Sequence, residues 1–227
     1  MSQIAAILAG IGFIVGALSM TGVANAFSRE LVLFAHGQLV PMLVLGAAAS
    51  FVLGIGVTEI ACYIFLATIL APALISIGIY PLAAHLFIMY WGIISYITPP
   101  VALAAITAAG ISGADAMRTG IRAMRLGTVV YFVPFFFVLN PTMVGHGPIL
   151  EVLLVAITGV IGTCFLANSL EGYLYRFGDL SAAIRPLVFL SGACLLYPDW
   201  RADLIGLVII VLVYIFGRMR RSIGGAT

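Results

Sequence analysis

Two short stretches of this chain hold residue types that bind ions in an apolar setting. They are Gly54-Ile55-Gly56-Val57-Thr58-Glu59 and Ser95-Tyr96-Ile97-Thr98-Pro99-Pro100. Paired glycines disfavour helix and let a ligand approach the backbone closely. Tandem prolines lack two amide donors and push the preceding residue out of the α region. Each stretch should therefore interrupt a helix and leave backbone groups without intrahelical partners. Unwound carbonyls and helix C-terminal ends attract a cation, and half-helix N-termini attract a carboxylate. Thr58 and Thr98 add hydroxyl oxygens of the hard type that suits Na⁺. Gly54, Gly56, Thr58 and Thr98 form the candidate Na⁺ site, and Glu59, Pro99 and Pro100 complete the candidate substrate and ion site. Each break also has a plainer reading: Gly-x-Gly packs helices together, and Thr-Pro-Pro kinks them.

Glu59 is the only acid between Glu30 and Asp115. An ionisable residue in so apolar a setting points to function. Three readings fit it: a cation or proton site, a group facing water at a hairpin tip, or the partner of an Arg in another part of the assembly. Na⁺ and H⁺ both remain open as the coupling ion, and no other cofactor is implied. His85, four residues after Pro81, reads as a packed or interfacial histidine. There is no Gly-x-x-x-x-Gly-Lys-Ser/Thr loop, no His-Glu-x-x-His and no Gly-x-Ser-x-Gly elbow. An intramembrane enzyme lacks a plausible nucleophile–base pair, so the chain reads as a non-enzyme.

The elements that must position these breaks follow from composition. Of 227 residues, 63% are hydrophobic and 8% charged, against about 25% charged in a soluble domain. A soluble enzyme, a nucleic-acid binder and a disordered chain are excluded. All ten basic residues are Arg, and the net charge is only +2. No charge occurs over residues 1–28, 31–58 or 60–114, and a bilayer-spanning helix needs about 20 apolar residues. The expected class is an all-α, polytopic protein of the lipid bilayer. Cys62, Cys164 and Cys194 lie in apolar runs and read as buried free thiols.

The spacing predicts a first helix over 4–26, then a polar connection with Arg29, Glu30, His36 and Gly37. The tract 39–79 is about 60 Å long as a helix, twice the ~30 Å hydrocarbon core. It must be two elements, joined at 54–59. The tract 82–111 is one span broken at its prolines. An amphipathic helix follows over 113–126, with Arg118, Arg122 and Arg125 on one face, as on an interfacial helix. A span over 127–144 closes the first region. Residues 145–227 hold further spans, over 148–170 and in the tracts 186–197 and 204–216. The Arg118/Arg122/Arg125, Arg176/Arg185 and Arg218/Arg220/Arg221 clusters all fall on the cytoplasmic side by the positive-inside rule, which puts the C-terminus there. Residues 79–81 are then outside. Charge alone leaves 39–79 either crossing twice or entering and leaving from outside as a re-entrant hairpin.

The stretch from Gly10 to Pro141 resembles the C-terminal half of the large permease of tripartite ATP-independent periplasmic (TRAP) transporters. It is most similar to the fused 4TM/12TM permeases that work with TAXI-type receptors. Gly54-Ile55-Gly56-Val57-Thr58-Glu59-Ile60-Ala61-Cys62-Tyr63-Ile64 resembles the family's Gly-Met-Gly-(Leu/Met)-Pro-Thr-Thr-Ala-Ala-Tyr-Ile. Leu70-Ala71-Pro72-Ala73-Leu74, Pro81-Leu82-Ala83-Ala84-His85-Leu86-Phe87 and Ile97-Thr98-Pro99-Pro100-Val101-Ala102-Leu103 follow at the family's spacing. Gly113-Ala114-Asp115, Met117-Arg118-Thr119-Gly120, Pro134-Phe135 and Asn140-Pro141 complete the match.

The resemblance implies a re-entrant hairpin and a Pro-broken helix, one half of an inverted-repeat elevator transporter. It makes residues 1–144 the C-terminal repeat of the permease and 145–227 additional spans. By the same analogy the hairpin tip and the break together bind Na⁺ and a small organic anion. The implied setting is the bacterial inner membrane. The implied partners are a periplasmic solute receptor, a four-helix small subunit and the N-terminal half of the permease, which this chain lacks. The family's Pro-Thr-Thr at the tip is Thr58-Glu59-Ile60 here, so one hydroxyl position has become a carboxylate. The reading from a different class is a non-transporting structural subunit of another membrane complex.

Overall fold

The computed structural model describes residues 2–55, 57–174, 178–197 and 199–224, and side chains among them except at 2–4, 7–8 and 216–224. Gly56, Arg176 and Pro198, and the side chains of Arg218, Arg220 and Arg221, lie outside the described residues. The chain packs as two units, residues 1–124 and 125–227. The division falls before the last span of the first region, earlier than the 144/145 boundary read from the sequence.

In the first unit, helix α1 spans Ser2–Thr21 and α2 spans Val23–Phe34, with a 70° bend between them. The helix expected over 4–26 is therefore two helices, and Arg29 and Glu30 are helical residues of α2. Gly22 explains the bend: it sits at φ 71°, which glycine adopts without strain. The Thr21 hydroxyl turns back to the Ala17 carbonyl at 2.7 Å. The connection shrinks to Ala35–Gln38, where His36 takes φ 52° and Gly37 φ 66°.

Helices α3 (Leu39–Gly54) and α4 (Glu59–Ser76) form an antiparallel hairpin. Gly46 of α3 packs on Leu70 of α4, and farther up the Ser50 carbonyl faces Cys62 Sγ. The break expected at 54–59 is where the chain leaves the helix. Pro72 inside α4 removes the amide that would bond the Thr68 carbonyl. At the same turn, Ser28 of α2 donates a hydrogen bond to the Ile69 carbonyl. The carbonyl that Pro72 leaves open is that of Thr68, so this bond ties α2 to the proline turn without filling the lost rung.

Helix α5 (Pro81–Ile93) runs into a 3-10 turn, Ile94–Tyr96, and α6 resumes at Leu103–Ser112. Asp115 then caps α7 (Ala116–Leu126), accepting the Arg118 amide at 2.8 Å. Arg118, Arg122 and Arg125 are all exposed, whereas Gly120 is buried. The core of this unit is Met42, Leu43, Leu66, Leu70, Leu74, Phe87 and Ile88, all fully enclosed between α3, α4 and α5. In an apolar solvent such packing acts through dispersion and close backbone approach rather than through release of water.

In the second unit, α8 (Val129–Leu139) leads through a 3-10 turn to α9 (Ile149–Glu171). A small antiparallel pair, β1 (Tyr173–Leu174) and β2 (Gly178–Asp179), connects it to α10 (Arg185–Leu196) and α11 (Trp200–Gly224). Trp200 and Arg201 begin α11, capped by Asp199, whose carboxylate accepts the Arg201 amide at 3.0 Å. Helices α9 and α10 touch backbone to backbone. A Cβ on Gly192 would lie 2.7 Å from the Gly162 carbonyl oxygen. Of the three cysteines, Cys62 is buried, Cys194 is intermediate and Cys164 is exposed on α9. The expectation of three buried thiols is thus corrected. In a lipid-facing helix an apolar run marks the outer surface as readily as the core.

Among the described residues, Glu59–Ser76, Ala116–Leu139 and Ile149–Glu171 are long and apolar enough to cross a membrane, and the bent α1–α2 pair makes a fourth if counted as one span.

Candidate functional site

The hairpin tip rests on the break between α5 and α6. Gly54, the last residue of α3, is buried, and a Cβ there would lie 2.5 Å from the Gly92 carbonyl oxygen and 3.3 Å from Ser95 Oγ. Contact this close is possible only for glycine. Gly92 also faces α4, where a Cβ would meet Cys62 Sγ at 3.3 Å. The two arms of the hairpin thus close on one point of α5, one residue before its end.

A second contact joins tip and break. The Glu59 amide, at the start of α4, donates to the Tyr96 hydroxyl at 3.4 Å. Thr58 is the N-cap residue of α4, but its side chain makes no capping hydrogen bond. The α4 N-terminus therefore presents backbone donors that no cap satisfies. Thr58 and Glu59 are both exposed.

Around the break, hydroxyl protons are committed to carbonyls. Ser95 donates to Gly92 at 3.1 Å and Thr98 donates to Ile94 at 2.8 Å. A hydroxyl held in this way meets a cation through its oxygen lone pairs. Ser95 and Thr98 are buried, Pro99 is half-buried and Pro100 is exposed. The Pro99–Pro100 bond is cis, and Ala102 takes φ 36° before α6 begins. Helix α7 backs the break. A Cβ on Gly120 would lie 3.0 Å from Pro99 Cγ and 3.3 Å from the Ala102 methyl.

Of the sequence-predicted residues, Gly54 and Glu59 are brought against the break, while Thr98, Pro99 and Pro100 form it. Gly56 lies outside the described residues. Sequence reasoning gave no role to Gly92, Ser95, Tyr96 or Ser50. Ser50 is fully buried one turn below Gly54, and its hydroxyl has no hydrogen-bond partner among the described residues. Its signal was present: Gly46, Ser50 and Gly54 recur every four residues, a small-residue stripe that lets helices approach. His85 packs as expected, with Nδ1 3.1 Å from the Tyr63 hydroxyl and the two rings edge to face.

Compared with known protein families, residues 1–152 match the DctM component of tripartite ATP-independent periplasmic transporters. The chain belongs to the DctM family. The match covers both helix breaks and every element that positions them. The search of curated proteins and that of solved structures gave no match. DctM membership makes this an all-α, multi-pass membrane protein and the large permease component of a TRAP transporter. Such a permease belongs to an assembly with a periplasmic receptor and a small membrane subunit, in the inner membrane.

Proposed function

We propose that this chain is the ion-coupled part of the permease, importing a small organic acid delivered by the periplasmic receptor. The observation that supports this reading is the seating of Gly54 on Gly92 and Ser95, which puts two helix interruptions side by side. Interrupted helices facing each other supply cation-binding carbonyls and anion-binding amides together. In this reading Na⁺ takes backbone and hydroxyl oxygens at Gly54, Gly56, Thr58 and Thr98, with Pro99 and Pro100 holding the break open. The carboxylate of the cargo takes the uncapped N-terminus of α4. The α3–α4 hairpin is re-entrant, opening outward with its tip at midplane depth. It moves with the broken helix as one elevator unit, and the C-terminus is cytoplasmic.

The test is uptake by the complete permease reconstituted with its receptor, across imposed Na⁺ and pH gradients. Thr98→Val keeps the side-chain shape and removes the hydroxyl, and it should abolish Na⁺-driven uptake. Undiminished Na⁺-dependent uptake in that variant would overturn the assignment of Thr98. A second reading, coupling to H⁺ through Glu59, is favoured by the exposed carboxylate at the tip. It predicts uptake driven by a pH gradient without Na⁺.

A further inference from the structure

We infer that the groove between the start of α10 and the far half of α11 holds an acyl chain of an anionic phospholipid, whose phosphate lies among the arginines gathered at that end.

Helices α10 and α11 run antiparallel. Ser191 donates to the Gly206 carbonyl at 2.7 Å, and Val188 packs with Ile210 and Val213. The start of α10 thus lies beside the far half of α11. Between them is a cavity of about 500 Å³, with Ala183, Ile184 and Leu187 on one side and Ile209, Leu212 and Ile215 on the other. Every residue lining it carries an alkyl side chain. A small organic acid finds no polar group there to orient it, whereas pockets for such ligands hold a few. An extended peptide is excluded too, because at bilayer depth only a helix satisfies its own backbone groups. A docking helix seats anchors from i to i+7, a reach of about 10.5 Å, while residues 209 to 215 cover only about 9 Å. An acyl chain has no hydrogen-bonding group and fits such a slot.

The charge beside the groove selects the lipid. Arg185 follows Ile184, and Arg218, Arg220 and Arg221 follow Ile215. Arg220 comes seven residues after Val213, another residue of the lining, so the register of α11 keeps position 220 on the groove's side. Over residues 171–185 and 216–224, five arginines stand against two acids, Glu171 and Asp179. Arg185 is half-buried, and its Nε donates to the Leu180 carbonyl at 3.2 Å. Its two terminal nitrogens have no hydrogen-bond partner among the described residues. Helix α10 begins here without a side-chain cap, so the positive end of its dipole adds to the field. Guanidinium groups take phosphate through paired N–H donors, and basic pockets between spanning helices recognise anionic headgroups. A free anion would have no use for the groove, and a neutral lipid would have none for the arginines. Groove and charge together describe an anionic phospholipid.

The experiment titrates the purified full-length permease complex, stripped of lipid in detergent, with phosphatidylglycerol and with phosphatidylcholine of the same acyl chains. Native mass spectrometry gives the dissociation constant of the first lipid bound. Phosphatidylglycerol should bind at least about tenfold more tightly, the scale of one charge-assisted contact. Ala183→Trp fills the groove from an exposed position, and it should weaken this first site by about tenfold or more. Replacing Arg220 and Arg221 together by Gln should bring the ratio of the two lipids close to one. Replacing both by Lys, which keeps the charge, should retain most of the preference. Equal binding of the two lipids by the wild type would overturn the inference. So would an Ala183→Trp variant that keeps the wild-type affinity and preference, because the lipid would then sit elsewhere, as on the arginine face of α7. A protein chain that copurifies with the wild type, blocks the first lipid and is lost in Ala183→Trp would also overturn it, since the groove would then be a protein interface.

Discussion

The carbonyl oxygen of Gly92 stands 2.5 Å from the point where residue 54 would carry its Cβ. The hairpin tip and the helix break are thus locked by the absence of a side chain on α3. Gly54→Ala must push the two helices apart or bend one of them. We expect a loss of about 1–3 kcal/mol in stability, read as a lower unfolding temperature in detergent. Gly12→Ala is the control: nothing lies within 4 Å of its Cβ position. It should stabilise by up to about 1 kcal/mol through helix propensity.

The Tyr63–His85 contact joins α4 to α5 below the tip. A double-mutant cycle of Tyr63→Phe and His85→Ala should give a coupling energy of about 0.5–1.5 kcal/mol. Strict additivity of the two substitutions would show that the contact contributes nothing.

Ser28 donates to α4 at the turn Pro72 disrupts. Ser28→Ala should cost about 1 kcal/mol and speed amide exchange on α4 near residues 69–73. Unchanged exchange there would show that the Ser28 contact does not hold this turn.

Gly120 gives α7 its seat on the break. Gly120→Val adds three carbons against Pro99 and Ala102 and should destabilise by about 1–3 kcal/mol. The expected signature is faster proteolysis at residues 97–102 with the α3–α4 hairpin still protected. Equal loss of protection in both would mean general unfolding.

In the second unit, Gly192→Ala should be the harshest of these changes. Its Cβ would meet the Gly162 carbonyl oxygen at 2.7 Å and the Leu166 nitrogen at 2.8 Å. Neither is a flexible side chain, so a loss of about 3 kcal/mol is expected in thermal unfolding.

The membrane class, both helix breaks and the arginine face of α7 could be read from the chain because each is a local signal. Charge-free length, paired glycine or proline, and helical spacing all act within a few residues. The bend at Gly22 could not be read this way. One glycine in an apolar run costs a helix only about 1 kcal/mol, and hydropathy does not change across it. The seating of Gly54 on Gly92 was hidden for another reason: the two are far apart in sequence and meet only once α3 and α5 are packed. Tyr96 was visible as part of the break, but its contact with the Glu59 amide depends on where the hairpin places α4. The exposed Cys164 shows the limit of hydrophobicity as a guide to burial, since lipid rewards apolar residues on the outside too.

Gly120 also ties two environments together. The helix whose three arginines look outward is the same helix that forms a wall of the break. Basic residues on such a helix respond to the anionic headgroups of a bilayer, by about 1 kcal/mol each near the surface. Lipid composition would then bear on the helix break itself, tightening or loosening the wall behind Pro99.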